Sequence, residues 1–392
     1  MTASTAAGPI AASSARTGPR FAVVGNPENR RVSLFSDAVR AAGLPAPRVV
    51  AWADVLRARG ADFAADEFVR VDSPGENPEV DRLLRDASDP TRVEGSARWY
   101  TRFTAALRTL RGGIPLADPD ELAALFDKRA CHGVLDAAGV PVPDSPTSGP
   151  HGARVHGWDD VRALMREHRM PRLFVKPAHG SSASGVLAVE TAGGGRIRAT
   201  TSVETGPDGA LHNSLRVRRY HDERDVARIV DALAPDGLHL ERWVPKASQA
   251  GRAADLRVVV VAGRATHAVV RTSRWPLTNL HLGGSRGDLD GVRRAVTAAG
   301  ARWSDVLDVC ERAASCFPRT LCVGVDLLPA VDWRRSFVGE VNAFGDLLPR
   351  LTGLPGSGAE GLDTYGAQVA AVLRAPAGSG PRHPYRTGTA HA

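Results

Sequence analysis

Lysine is almost missing from this chain: of 50 basic residues only three are lysines, Lys128, Lys176 and Lys246. A chain that uses arginine wherever any positive charge serves keeps lysine where a compact ammonium on a flexible stem is wanted in place of a planar fork. The three positions are therefore pointers to chemistry. Cysteine is also scarce. Cys131, Cys310, Cys316 and Cys322 form no Cys-x-x-Cys pair and have no histidine at zinc-finger spacing, which argues against a thiol redox motif or structural zinc. They read as buried small side chains in a reducing cytoplasm. No apolar run approaches the roughly 18 residues a membrane-spanning helix needs, and Met1 to Arg20 lacks the apolar segment of a secretory signal. Aromatic residues make up only 5%, too few to suggest a base-stacking platform. The net charge of +7 comes from arginines scattered along the sequence, which read as a basic solvated surface rather than a nucleic-acid groove.

A length of 392 residues suits two or three packed lobes. Residues 1–20 and 377–392 read as disordered tails. In 21–117, apolar runs at Phe21–Val24, Val49–Trp52 and Phe68–Val71 alternate with a helical pattern over Ser33–Ala42, which predicts a small α/β unit with a parallel sheet. Asp118-Pro119-Asp120-Glu121 starts a helix strongly, and the pattern predicts one helix through Lys128 and Leu135 to Gly139. Residues 118–239 form a second unit, and 240–376 a third, mostly β, with helices near Ser304–Ser315 and Ala359–Leu373.

Four segments carry chemistry. Lys176-Pro177-Ala178-His179-Gly180-Ser181-Ser182-Ala183-Ser184-Gly185 brings a lysine on a strand into a Gly/Ser loop whose small residues allow backbone amides close to an anion. A flexible hairpin is the plainer alternative. Leu240-Glu241-Arg242-Trp243-Val244-Pro245 is an apolar strand end that can present backbone groups to an adenine edge, or an ordinary edge strand. Asp255 and Arg257 share a strand face, and a two-residue turn at Ala262-Gly263 brings Arg271 back near Asp255. A solvated salt-bridge ladder has the same pattern. Finally, Asp326 on one apolar strand lies roughly opposite Glu340 on the next, with Asn342 two further along. Two carboxylates and an amide within apolar strands are costly unless a hard cation neutralises them. Oxygen-only ligands suit Mg²⁺; a polar cluster at a strand end remains the alternative.

Together these elements resemble the ATP-grasp superfamily. Lys128, Lys176-Pro177 before the Gly/Ser loop, Glu241-x-x-Val244, Asp255-x-Arg257, Arg271, Asn279-Leu280-His281-x-Gly283-Gly284, Gly324-x-Asp326 and Glu340-x-Asn342 follow its order over residues 118–375. The D-x-R, N-L-H-x-G-G and E-V-N elements look most like RimK-type amino-acid ligases. The resemblance implies an α/β ATP-grasp fold preceded by a parallel α/β domain, and a ligase that forms an acyl-phosphate from ATP, a small-molecule or peptide carboxylate, and an amine or thiol. It implies ATP contacts from Lys128, Lys176, Gly180, Ser181, Ser182, Ser184, Gly185 and the hinge Glu241, Arg242, Trp243 and Val244. Asp326, Glu340 and Asn342 would hold Mg²⁺, with Mn²⁺ as a substitute, and Arg271, Arg257 and Asn279 would meet the transferred phosphoryl group. Lys246 is expected at the cleft rim beyond the hinge. The residues after Asn342, Ala343-Phe344-Gly345-Asp346, depart from the family pattern and leave acceptor recognition open. Two other readings compete: a kinase on the same scaffold that phosphorylates a hydroxyl, and a non-catalytic, basic nucleotide-sensing or nucleic-acid-binding protein.

Overall fold

A computed structural model describes residues 18–375 apart from 87, 88, 90, 181, 182 and 194. Most of the two expected tails, and Ser181 and Ser182 of the Gly/Ser loop, lie outside the described residues. The chain begins β1 (Arg20–Gly25), α1 (Arg30–Ala41), β2 (Arg48–Ala51), α2 (Trp52–Ala58), β3 (Ala61–Val71), α3 (Pro78–Arg85), α4 (Ser96–Leu107) and β4 (Leu110–Pro115). The four strands form a parallel sheet in the order β2-β1-β3-β4. Phe21 to Val24 are all buried, the continuous apolar run that a parallel strand covered on both faces requires. The second predicted strand stops one residue early. Trp52 opens α2 instead, fully buried, with its indole donating to Asp72 O at 2.9 Å.

The helix expected from 118 to 139 is two helices, α5 (Pro119–Leu125) and α6 (Lys128–Ala137). The break has a local cause. The Asp127 carboxylate accepts from the amides of Arg129 and Ala130 and so caps a new helix start. This places Lys128 on the first turn of α6 rather than in mid-helix. Next come α7 (Trp158–Glu167), β5 (Arg172–Pro177), β6 (Leu187–Ala192), β7 (Arg196–Thr205), β8 (Leu211–Tyr220), α8 (Glu223–Leu233) and β9 (Leu238–Arg242). Their strands form an antiparallel sheet in the order β8-β7-β6-β5-β9. Leu173, Val175, Leu187, Val189 and Leu240 on one face pack against Val161 of α7 and Val226 and Val230 of α8. The Asp236 carboxylate after α8 accepts from the amides of Gly95, Ser96 and Ala97, capping α4 of the first unit.

The last unit holds β10 (Ser248–Gln249), β11 (Arg252–Val261), β12 (Arg264–Ser273), β13 (Ser285–Arg286), α9 (Leu289–Ala298), α10 (Trp303–Ser315), β14 (Cys322–Pro329), β15 (Ser336–Asn342) and α11 (Thr364–Arg374). Its sheet runs β13-β12-β11-β14-β15, with β10 pairing β11. Helix α9 was not anticipated from the sequence. Strand β11 explains how this sheet serves two purposes. Leu256, Val258 and Val260 face a core with Val292, Val306 and Cys310 of α9 and α10. Val259 and Val261 point the other way, into a core shared with Phe35 and Val39 of α1 and Tyr365 and Val369 of α11. Asp255 and Arg257 lie on that second face, beyond the reach of α11, where apolar residues give way to charge. Cys131, Cys310 and Cys322 are buried and Cys316 is half-buried, all as free thiols. Among the described residues no helix is long and apolar enough to cross a membrane.

Candidate functional site

A small cavity lined by Lys128, His239, Glu340 and Val341 lies where α6, β9 and β15 meet, and Asp326 and Arg257 follow Glu340 across the same sheet. Strand β5 delivers Lys176 opposite His239 of β9, and Phe174 opposite Glu241, so the four side chains share one face. Lys176 Nζ donates to Glu241 Oε2 at 2.8 Å. Burial alone would raise the Glu241 carboxyl, but the Lys176 ammonium and His239 outweigh it and hold the pKa at about 2. His239 is buried as well, which pushes its pKa down to about 4 despite the nearby carboxylate. Its Nδ1 lies 3.2 Å from Thr147 Oγ1, and Nε2 lies 3.7 Å from Glu241 Oε2.

Lys128 enters from the other side. Its Nζ donates to Gly180 O at 2.5 Å and pairs with Glu340 Oε1 at 3.0 Å. It thus ties the Gly/Ser loop to the last sheet. His179 at the base of that loop stacks on Tyr100 of α4 with ring centroids 3.9 Å apart. Gly185 has φ +72°, and a Cβ there would lie 2.6 Å from Pro177 Cγ and 2.7 Å from Val93 Cγ1; only glycine fits this turn. Ser184 sits beside it in the same loop, after Ala183 with φ 60°.

The hinge residues divide. Glu241 points inward. Arg242 is directed oppositely, its Nε on Asp144 Oδ2 at 2.7 Å and its other nitrogens on the carbonyls of His168 and Arg169. The amides of Arg242 and Trp243 donate to Asp144 O and Arg172 O, and the Trp243 ring packs on Phe174 at 5.2 Å. The Arg242 guanidinium is thus engaged on the side away from Lys176 and Glu241. Val244 follows, half-buried.

On the last sheet the register sets Asp255 opposite Arg271, Arg257 opposite Asp326, Asp326 opposite Glu340 and Gly324 opposite Asn342. Directly opposed residues share a face, so these side chains lie together on one face of the sheet. Arg257 grips Asp326 through Nε and through Nη2 at 3.0 Å. Arg271 spans two carboxylates, with Nε on Asp255 Oδ1 at 2.8 Å and Nη2 on Asp326 Oδ1 at 3.0 Å. Burial would raise Asp326, but Arg257 and Arg271 hold it well below the ordinary carboxylate range and keep it ionised. Asn342 donates from Nδ2 to Gly324 O at 3.3 Å, which commits its amide nitrogen to the backbone of β14. Gly324 and Gly345 touch: a Cβ on either would lie 2.6 Å from the other's Cα. That approach brings the loop after β15 down to Arg257, whose Nη1 donates to Gly345 O at 3.4 Å. The Asn279 carbonyl accepts from the amides of Leu282 and Gly284, closing the turn beyond β12.

Two groups were not foreseen in these places. Lys246, expected at the rim, is buried against Asp255, Thr278 and Pro276. Asp346, which follows Gly345, is held by Arg31 of α1 and Arg70 of β3, both at 2.8 Å, and by Gln368 of α11 at 3.0 Å. Lysine scarcity was the available signal for the first. The second joins residues some 300 positions apart and leaves no trace in local pattern.

No protein-family model matches the sequence, and no curated protein matches it. Solved structures do. D-cycloserine synthetase DcsG is 17% identical with a TM-score of 0.52, over 90% of this chain and 99% of that one. ATP-grasp ligase PsnB, complexed with a minimal precursor, Mg and ADP, is 17% identical with a TM-score of 0.50, over 92% of this chain and 99% of that one. At these identities the likeness is one of fold: this chain has the ATP-grasp fold.

Proposed function

We propose that this chain is an ATP-dependent ligase that converts a carboxylate to its acyl-phosphate and passes the acyl group to an amine or thiol. The observation that carries the reading is the run of charge that Lys128 joins to the last sheet through Glu340. Lys128 and Lys176 approach from α6 and β5, while Arg257, Arg271, Asp326, Glu340 and Asn342 form a contiguous face on the opposing sheet. Phosphoryl transfer needs positioning and charge neutralisation more than a covalent nucleophile. The D-x-R, N-L-H-x-G-G and E-V-N elements support a finer assignment to the RimK-like amino-acid ligases.

The donor set fits Mg²⁺. Asp326 and Glu340 are opposed carboxylates and Asn342 adds an amide oxygen, an oxygen-only set. Among the described residues no three His, Cys, Asp or Glu side chains group as a metal site, so phosphate oxygens and water would complete the shell. Mn²⁺ takes the same donors. When bound, the cation neutralises phosphate oxygens. The chain's own residues do the rest. Lys128 and Lys176 bind phosphate oxygens, and the loop from Gly180 to Gly185 excludes water. The carbonyls of Glu241 to Val244 meet the adenine edge. Arg271 and Arg257 stabilise the charge that develops as a carboxylate oxygen of the acceptor attacks the γ-phosphorus and the bond to ADP breaks. Nucleophile attack on the acyl carbon then expels phosphate, and the nucleophile loses its proton.

The test is ADP and phosphate release screened against amino acids, small carboxylates and peptides, with hydroxylamine present in parallel to trap the acyl-phosphate as a hydroxamate. The reading expects ADP and free phosphate in equal amounts, dependent on a carboxylate. ADP without free phosphate would make the protein a kinase, and nucleotide binding without turnover under any acceptor would make it a sensor.

A further inference from the structure

The third lysine has no part in the reaction just described, yet it is the most buried of the three. Lys246 follows the hinge directly and is fixed at its backbone by a bridge to Ala330, with the next amide donating to Pro329 O at 2.8 Å. Its side chain is 8% exposed. Three acceptors surround one nitrogen: Thr278 Oγ1 at 3.0 Å, Pro276 O at 3.1 Å and Asp255 Oδ2 at 3.5 Å. That is the donor geometry of an ammonium, three protons on a point charge, and a planar guanidinium does not reproduce it. The chain's near-exclusive use of arginine makes the retained lysine consistent with a requirement for that shape.

The acceptors say what the ammonium holds. Pro276 and Thr278 belong to the segment that leads from β12 into the Asn279–Gly284 turn. The Thr278 hydroxyl also donates to Asp255 Oδ2. The other oxygen of Asp255 holds Arg271 Nε at 2.8 Å, and Arg271 in turn reaches Asp326. Lys246 therefore sits at the end of an alternating chain of charge, Lys246–Asp255–Arg271–Asp326–Arg257, which runs across one face of the sheet. Without Lys246, Asp255 keeps one cation, and the 276–278 segment loses the ammonium's bonds to Pro276 O and Thr278 and keeps the Thr278 bond to Asp255.

We propose that Lys246 is a positioning residue that latches the 276–284 segment onto Asp255 and so fixes the Arg271 guanidinium for phosphoryl transfer. The catalytic consequence rests on the ligase reading; the latch itself does not. Two variants of the full chain test it. Lys246→Met removes the ammonium at similar volume. Thr278→Val removes one shared partner and leaves every charge pair in place, so it carries the test if the first variant does not fold. Amide hydrogen exchange over 276–284 should be about tenfold faster or more in both, the effect of losing one charged hydrogen bond, with β14 and β15 unchanged. Turnover per nucleotide-binding site should fall on the order of a hundredfold, as for a slightly misplaced catalytic group, while KM for ATP and affinity for a non-hydrolysable analogue stay near wild type. Unchanged exchange over 276–284 overturns the latch, and wild-type turnover in either folded variant overturns its catalytic role. A loss of kcat matched by the loss of nucleotide-binding sites reduces Lys246 to a stability residue and also overturns it. If the wild-type protein forms no ADP with any acceptor, the ligase reading fails separately, and the exchange measurement alone decides the latch.

Discussion

Replacing Arg271 separates its two duties. Its side chain is 14% exposed and its guanidinium bridges the carboxylates of Asp255 and Asp326, whose side chains are 3% and 13% exposed. Arg271→Ala leaves Asp255 to Lys246 and Thr278, and Asp326 to Arg257. Removing one partner of a buried ion pair costs about 3–5 kcal/mol, a large share of an ordinary folding free energy of about 5–15 kcal/mol. The variant should fold at room temperature but show a clearly lowered urea midpoint. The catalytic loss is independent of this. Losing one donor aimed at developing charge costs about 2.7–4 kcal/mol in the transition state, or roughly 10²–10³ in rate. Arg271→Lys keeps the charge but cannot span both carboxylates. It should lose about 1.5–3 kcal/mol of stability, one charged hydrogen bond, and recover little of the rate, because an ammonium lacks the fork. The assay is single-turnover ADP formation with the true acceptor, beside ATP affinity and a urea titration of each variant. Normal single turnover in Arg271→Ala refutes the reasoning. A loss confined to ATP affinity makes Arg271 a ground-state contact.

Lys176→Ala should weaken ATP binding or abolish turnover; unchanged affinity and ADP production remove Lys176 from the phosphate site. His239 is buried with its pKa lowered to about 4, so between pH 6.5 and 4 the unfolded chain binds more protons and stability must fall as pH falls. The shift corresponds to about 3 kcal/mol, and His239→Gln should flatten that part of the urea-midpoint profile; an unaltered profile removes His239 as the cause. Gly324→Ala forces Gly345 away, because the new Cβ would meet its Cα at 2.6 Å. Overpacking predicts a loss of about 1–3 kcal/mol together with slowed turnover as the loop carrying Gly345 leaves Arg257, and a variant with wild-type stability contradicts the close approach. Asp236→Ala removes the cap on α4 and should cost about 1 kcal/mol, seen as a lower thermal midpoint with turnover intact.

The sequence by itself determined the local chemistry. Apolar runs located the strands of β1, β5, β11, β14 and β15, and the period of two placed Asp255 with Arg257, and Glu340 with Asn342, on shared faces. The Ala262-Gly263 turn brought Arg271 near Asp255, but its register alone would set Val270 opposite Asp255; a one-residue bulge between Val259 and Val260 places Arg271 there. Asp326 was expected roughly opposite Glu340, and a second bulge, between Asp326 and Leu327, makes that pairing direct. What tertiary structure decided lies where information is carried by distant partners. The break between α5 and α6 is the exception, set locally by the Asp127 side chain capping the amides of Arg129 and Ala130, which helical periodicity does not report. The direction of Arg242 follows from Asp144 and the carbonyls of residues 168 and 169. The burial of Lys246 depends on a segment thirty residues further on, and the hold on Asp346 on α1, β3 and α11. Periodicity reports which face a side chain takes. Only packing says what stands across from that face, and for a charged group the partner decides whether it is solvated or built into the site.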